Sequence, residues 1–201
     1  MRKLVVLTFV SLDGIMQAPG GEGEDPSGGF NLEGWTVPYF DEGLGKAMDA
    51  QMGRPFDRLL GRKTFDIFAS YWPHQGDDDP GAAALNRARK YVVSHKPVPL
   101  DWKETIPIQG DVPAEIKRLK GQDGPMLQVH GSSNLIQTLL ANDLVDELWL
   151  KIFPVTLGKG KRLFGEGTIP AAYKLIESQA SPSGVIIASY QRAGEVELGS
   201  F

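Results

Sequence analysis

The feature that most constrains this chain is a repeated change of period. Short apolar, β-branched runs give way, through glycine- or serine-bearing turns, to stretches whose apolar residues recur at helical spacing. Leu4 to Val10 is the first such run and ends in Asp13-Gly14, which reads as a buried strand and a turn. A Gly-, Pro- and acid-rich loop follows from Met16 to about Gly34, and loops of that length are functional lids or disordered. Pro38 then predicts a helix over Tyr39 to Met52, with Phe40, Leu44, Ala47 and Met48 on its apolar face.

The alternation continues to the end of the sequence. Phe56 to Leu60 reads as a strand and Arg62 to Ser70 as a helix with Phe65 and Phe68 inward; Gly76 to Pro80 is a loop. Gly81 to Arg89 reads as a helix, Tyr91 to Ser94 and Thr105 to Gln109 as strands, and Val112 to Lys120 as an amphipathic helix. Met126 to His130 is a strand, Asn134 to Leu140 a helix and Glu147 to Val155 a long strand. Tyr173 to Ser178 and Val185 to Gln191 close the chain. Such a pattern predicts an α/β fold with a mostly parallel central sheet covered on both faces. The last two strands, joined by Ser181-Pro182-Ser183-Gly184, form an antiparallel C-terminal hairpin. No repeat, low-complexity tract or linker divides residues 1–201, so one domain is expected.

Composition excludes several classes. The 201 residues contain no cysteine, which removes thiol catalysis, thiolate metal sites and disulfides. Without cysteine the HxE…CxxC zinc site of a nucleobase deaminase cannot form. His74, His95 and His130 lack metal-ligand spacing, so no metal site is expected. A net charge of −4 provides no basic field for nucleic acid. The apolar run after Arg2-Lys3 breaks at Ser11-Leu12-Asp13 without a cleavage site, and no stretch is long enough to span a bilayer. A soluble, cytoplasmic protein acting on a small molecule is the expectation, with neither membrane nor nucleic-acid partners.

Two strands end in turns that open helices: LLGRKTF, with Gly61, Arg62, Lys63 and Thr64, and VHGSSNL, with Gly131, Ser132 and Ser133. A helix N-terminus presents unpaired N–H groups and partial positive charge, a natural phosphate site, and glycine lets a ligand approach. Ser94, His95 and Lys96 supply a hydroxyl and a cation at a third strand end. In open α/β sheets ligands bind at the carboxyl ends of strands, where all three groups fall. Each turn alone also reads as a tight turn, a serine cap or a solvated cationic face. Neither GxGxxG after the first strand nor GxxxxGK[ST] is present.

LLGRKTF, followed by YVVSHKP and LQVHGSSNLIQTLL, resembles the cofactor-binding segments of dihydrofolate reductases. SLDG after the first strand, and DLVDELWLKIFPVTLGKGKRLF after the last helix, look more like the reductase domain of the bifunctional riboflavin-biosynthesis deaminase-reductase. The likeness runs from about Lys3 to Tyr190. It implies a three-layer α/β/α dihydrofolate reductase-like fold and NADPH as cofactor. By that resemblance Arg62, Lys63 and Thr64 lie near the adenosine-side phosphates, and Ser94, His95 and Lys96 near the 2′-phosphate. Gly131, Ser132 and Ser133 bracket the pyrophosphate and approach the nicotinamide. Dihydrofolate reductases carry a Gly-Gly pair joined by a cis peptide where this chain has Gly131-Ser132.

Hydride transfer to C=N or C=O needs a proton source, and a carboxyl whose pKa burial has raised is the usual helper. Asp13 matches the SLDG motif and is the first candidate; Asp13-Gly14 as a plain turn is the alternative. Asp41 follows Trp35-Thr36-Val37-Pro38, which resembles the Trp-x-x-Pro before the substrate-binding acid of dihydrofolate reductases, displaced by one residue. Its alternative is an acid that complements the helix dipole. Trp35 and Phe40 are candidates for an aromatic substrate wall, with core packing as their other reading; Pro154 opens a Gly-rich loop, Pro154 to Lys161, that is a candidate border of the substrate mouth, with a mobile surface loop carrying two solvated lysines as its alternative. The substrate expected is a small heterocycle or imine, pterin-like or riboflavin-pathway pyrimidine-like; a non-catalytic dinucleotide-binding or sensory protein is the other class. Trp149, Ile152 and Phe153 make one strand apolar on more than one face, which fits a homodimer surface or a buried central strand.

Overall fold

A computed structural model describes residues 1–76 and 78–200; Asp77, in the expected Gly76 to Pro80 loop, lies outside the described residues. Strands β1 (Leu4–Ser11), β2 (Phe56–Gly61), β3 (Lys90–Val93), β4 (Thr105–Ile108), β5 (Met126–Val129), β6 (Glu147–Phe153), β7 (Ala172–Ala180) and β8 (Ile186–Gly194) form one sheet. Its order is β4-β3-β2-β5-β1-β6-β8-β7. Every ladder from β4 to β6 is parallel. Only β8 runs against its neighbours, so the closing hairpin is antiparallel as its turn residues predict.

The helices are α1 (Glu42–Met52), α2 (Arg62–Ala69), α3 (Pro80–Arg87), α4 (Val112–Lys120) and α5 (Ser133–Ala141). Period-two alternation along the strands splits them between two faces. Leu4, Val6 and Val10 of β1, Leu59, Leu127, Val129, Leu148 and Leu150 pack with Ile116 and Leu119 of α4 and Leu135, Ile136, Leu139 and Leu140 of α5. On the opposite face Phe153 and Ile187 meet Leu44 and Ala47 of α1, while Phe56, Leu60 and Val92 meet Phe65 of α2 and Leu85 of α3. Three layers result. The apolar pattern of β6 is that of an interior strand between β1 and β8, with Trp149 and Phe153 buried.

The expected helix from Tyr39 is corrected. Pro38 sits in a short 3-10 turn, Val37–Tyr39, and α1 begins at Glu42, because Asp41 adopts an extended conformation and its carboxylate accepts the Leu44 N–H at 2.8 Å. Phe40 therefore lies outside the helix and is half exposed.

The start of the chain is fastened by charge. The Arg2 guanidinium pairs with Asp57 of β2, donates to the Pro125 carbonyl at 2.7 Å and stacks 5.6 Å from the centre of the Tyr91 ring. Both partners are buried. Removing one member of a buried pair leaves an uncompensated charge. Arg2→Met is thus expected to cost about 3–5 kcal/mol in urea unfolding. The double variant Arg2→Met/Asp57→Leu should lose much less than the two single changes summed; additive losses would refute the pairing.

Candidate active site

Because β1, β2, β3, β5 and β6 run parallel, Asp13, Gly61, Ser94, Gly131 and Pro154 all emerge at one end of the sheet. The reversed β8 brings the 181–184 turn to that same end.

The two glycine turns touch. The Gly61 N–H donates to the Gly131 carbonyl at 3.0 Å. A Cβ on Gly61 would lie 2.1 Å from Ser132 Oγ and 2.8 Å from the Ser132 backbone nitrogen. Gly131 has φ +152°, and a Cβ there would stand 2.6 Å from Thr64 Oγ1. Gly61 admits no larger residue without moving backbone, and Gly131 combines a φ that L side chains rarely adopt with a Cβ position taken by the Thr64 side chain. The Gly131-Ser132 peptide is cis.

Capping separates these two helices from the rest. Aspartate side chains cap α1, α3 and α4: Asp41, Asp79 and Asp111 each accept a first-turn N–H. At α2 and α5 the N-cap residues are Gly61 and Ser132, and neither makes a side-chain cap bond. The leading N–H groups of both helices are left for another acceptor, and the serine-cap alternative does not hold.

Arg62 bonds Asp66 one turn on, at 2.8 Å, and also donates to the Pro97 carbonyl. That contact brings the Ser94-His95-Lys96 segment beside the start of α2. The Ser94 hydroxyl is used locally, donating to the Lys96 carbonyl at 2.8 Å and accepting its N–H at 3.1 Å, while His95 and Lys96 are exposed. Lys63 departs from expectation: its ammonium is engaged by Asp25, a residue of the long loop.

Asp25 is a hub that sequence reasoning missed. Its carboxylate also pairs with Lys161 at 2.6 Å, so it joins the 16–34 loop, the start of α2 and the 154–163 loop. Burial pushes this carboxyl up, but Lys161, Lys63 and Ser27 outweigh that and hold it below its ordinary value of 3.8. The long loop is otherwise tied to itself. Gln17 Nε2 donates to the Asp25 and Ser27 carbonyls, Glu33 accepts the Gly23 and Asp25 N–H groups, and Trp35 Nε1 donates to the Gln17 carbonyl at 2.8 Å. The acids of the loop and the lysines of GKGK were visible, but their pairing joins residues 136 apart.

The two candidate acids share one outcome. Asp13 accepts from the Ser11 hydroxyl and from the Leu157 and Gly158 N–H groups, and the Ser11 bond is the main reason its pKa falls to about 2. Asp41, whose pKa the Leu44 N–H chiefly lowers to about 2, also accepts the Ser183 N–H at 2.8 Å. A carboxyl raised by burial was expected. Instead both are ionised anchors of backbone, Asp13 for the Gly-rich loop and Asp41 for α1 and the hairpin turn.

The aromatic wall is also redistributed. Trp35 is core, edge-on to Phe153 at 5.3 Å, whereas Phe40 is 48% exposed and meets Phe9 of β1 at 5.8 Å. Phe9, which sequence reading passed over as part of an apolar strand, therefore belongs to the mouth. Pro154 is exposed and lies near Gly184 of the hairpin turn. Among the described residues no group of three or more His, Cys, Asp and Glu could hold a metal ion, and no helix is long and apolar enough to cross a membrane.

A three-layer α/β/α sheet with this strand order and two apposed, uncapped helix starts defines the fold class, and comparison with known proteins names the family. The chain belongs to the RibD C-terminal domain family, whose model matches residues 2–187. It is 29% identical to the uncharacterized protein YyaP of Bacillus subtilis (strain 168), over 96% of each chain. A crystal structure of a putative riboflavin biosynthesis protein from Shewanella sp. PV-4 superposes with a TM-score of 0.67 at 24% identity, covering 96% of this chain and 99% of that one. A pyrimidine reductase-like protein from Corynebacterium diphtheriae gives 0.67 at 13% identity, over 96% and 93%. Dihydrofolate reductase from Enterococcus faecalis, complexed with NADP(H), gives 0.60 at 13%, over 94% and 96%, so the fold is dihydrofolate reductase-like.

Asp25→Asn should cost about 1–3 kcal/mol by leaving two lysines without their shared carboxylate. Because the folded-state pKa of Asp25 is depressed, its contribution is full above the ordinary value of 3.8 and is lost as pH falls below it. Hydrogen exchange of residues 16–34 should accelerate in the variant at neutral pH, and the difference from wild type should shrink in acid; unchanged exchange would show that the hub does not hold the loop. Gly61→Ala should cost about 1–3 kcal/mol, because the Ser132 nitrogen cannot move aside independently of its strand and helix. A thermal melt matching wild type would refute that close packing.

Proposed function

We propose that the protein is an NADPH-dependent reductase that transfers hydride to a C=N or C=O bond of a small heterocycle, pterin-like or riboflavin-pathway pyrimidine-like. One observation carries this reading: the two helices that start at the touching glycine turns are the two without side-chain caps. Their leading N–H groups fit a diphosphate lying across β2 and β5. Membership in the RibD C-terminal domain family supports the same cofactor, as does the likeness in fold to the Enterococcus enzyme that was crystallised with NADP(H).

When bound, NADPH supplies the hydride. The chain's own residues bind and orient. Gly61 and Gly131 let the two turns close on each other, so the starts of α2 and α5 lie side by side, and Thr64 and Ser132 place hydroxyls there. Arg62, with exposed His95 and Lys96, forms the cationic group suited to a 2′-phosphate. Lys63 contributes through Asp25 by fixing the loop. Phe9 and Phe40 offer ring faces for a planar substrate near Pro154. Asp13 and Asp41, both ionised, hold the walls of the site and leave the proton to come from solvent.

That last point also favours the second reading, a non-catalytic dinucleotide-binding or sensory protein, since neither acid is poised as a donor. Loss of NADPH absorbance, followed with dihydrofolate and with the aminopyrimidine intermediate of riboflavin synthesis, separates the two. Oxidation of NADPH with either compound establishes the reductase. Saturable binding without oxidation across a wider panel of imines and ketones supports the sensor, and no NADPH binding defeats both. Arg62→Ala should weaken NADPH roughly 10- to 100-fold and leave NADH little changed, as the loss of a charge-assisted bond to phosphate requires. Equal losses for both would refute the 2′-phosphate assignment.

A further inference from the structure

The face of the sheet beneath α1 and α2 carries charge where a core is usually apolar. Arg58 of β2 and Lys151 of β6 are 1% and 0% exposed. Register places them on one face: Arg58 pairs with Gln128, Gln128 with Val5, and Phe9, four residues along β1, with Lys151. Lys151 Nζ bonds Gln51 Oε1, in the last turn of α1, and Gln128 Nε2 donates to the Gln51 carbonyl at 3.3 Å. The His130 ring, immediately before Gly131, lies 3.4 Å from Gln128 Oε1.

The guanidinium of Arg58 lies 5.5 Å from the ring centre of Phe56 and 5.0 Å from that of Phe68. Its Nε and Nη1 are buried and have no hydrogen-bond partner among the described residues. Burial lowers the pKa of Arg58 and of Lys151, and no carboxylate offsets either charge. His130 is held neutral by burial first, then by the charges of Arg58 and Lys151. A buried guanidinium with unmade bonds is costly unless something accepts them.

We propose that Arg58 binds one oxyanion group, a carboxylate or a phosphate, of a small molecule, with the His130 ring, which shares Phe68 as a neighbour, at the edge of the site. Phe68 is only part-buried and also stands 6.1 Å from the His130 ring, so its rotation opens the way in. The site goes beyond the reductase reading and stands whether or not NADPH binds.

The test uses full-length wild-type protein titrated separately with sodium phosphate and sodium acetate at constant ionic strength, sodium chloride serving as control. The side-chain Nε–H resonance of Arg58, assigned by its loss in Arg58→Lys, is followed together with the melting temperature. A saturable shift of that resonance by phosphate or by acetate supports the site, and the tighter of the two identifies the group. Arg58→Met should weaken that anion's stabilising effect roughly 10- to 100-fold, whereas Arg118→Ala, at an exposed arginine of α4, should not. If Arg58→Met does not fold, the wild-type resonance decides alone. No shift of Arg58 while exposed arginines respond, or equal stabilisation of wild type and Arg58→Met, overturns the proposal.

Discussion

The structure turns on a place where two backbones meet with nothing between them. The Gly61 amide on the Gly131 carbonyl fixes the ends of β2 and β5 at hydrogen-bonding distance, and the helices leaving those ends have no freedom in where they start. Ordinary sheet ladders already hold the strands together below this point; the glycine contact extends that order into the turns. From it follow the lack of room for any Cβ and the placement of Thr64 and Ser132 around one small volume. Exposed N–H groups at a helix start are a modest cost when water reaches them, so leaving α2 and α5 uncapped is tolerable at this edge of the molecule.

Around that fixed centre the walls are held by ionised carboxylates. Asp13, Asp25 and Asp41 each take hydrogen bonds or ion pairs from a different loop, and each is stabilised as an anion. Acids at the rim of such a cleft invite a reading as proton donors. Here they act as fasteners for a Gly-rich loop, a long lid-like loop and a hairpin turn. A carboxylate can satisfy several backbone N–H groups at once, which suits segments that lack regular structure.

Much of this was legible in the residues. Asp111, Pro113, Ile116, Leu119 and Gly121 mark both ends and the inner face of α4, and its bounds follow from local rules alone. The glycine turns were legible for the same reason, since a strand, a glycine and a helix are consecutive in sequence. Errors came where two local signals competed. Pro38 is a good first residue for a helix, but Asp41 is a better cap, so the helix began later and Phe40 moved from the core to the mouth. What stayed hidden was long-range: the Asp25 hub depends on partners far apart in the chain. Arg58 and Lys151 had a local sign, a charge inside the apolar runs FDRLL and LWLKIF, and that sign reads as ordinary strand polarity until the strands are known to be covered on both faces.

The single reversed strand has a practical consequence. The register pairs Val5 with Glu147 and Glu147 with Gln191, so β1 starts and β8 ends at the edge of the sheet opposite the glycine turns. A fusion partner, surface tether or fluorescent label joined before Leu4 or after Gly194 therefore sits on the far side of the molecule from those turns. Immobilised protein keeps its glycine turns facing outward, which makes the fold a convenient one to mount on a sensor or a support.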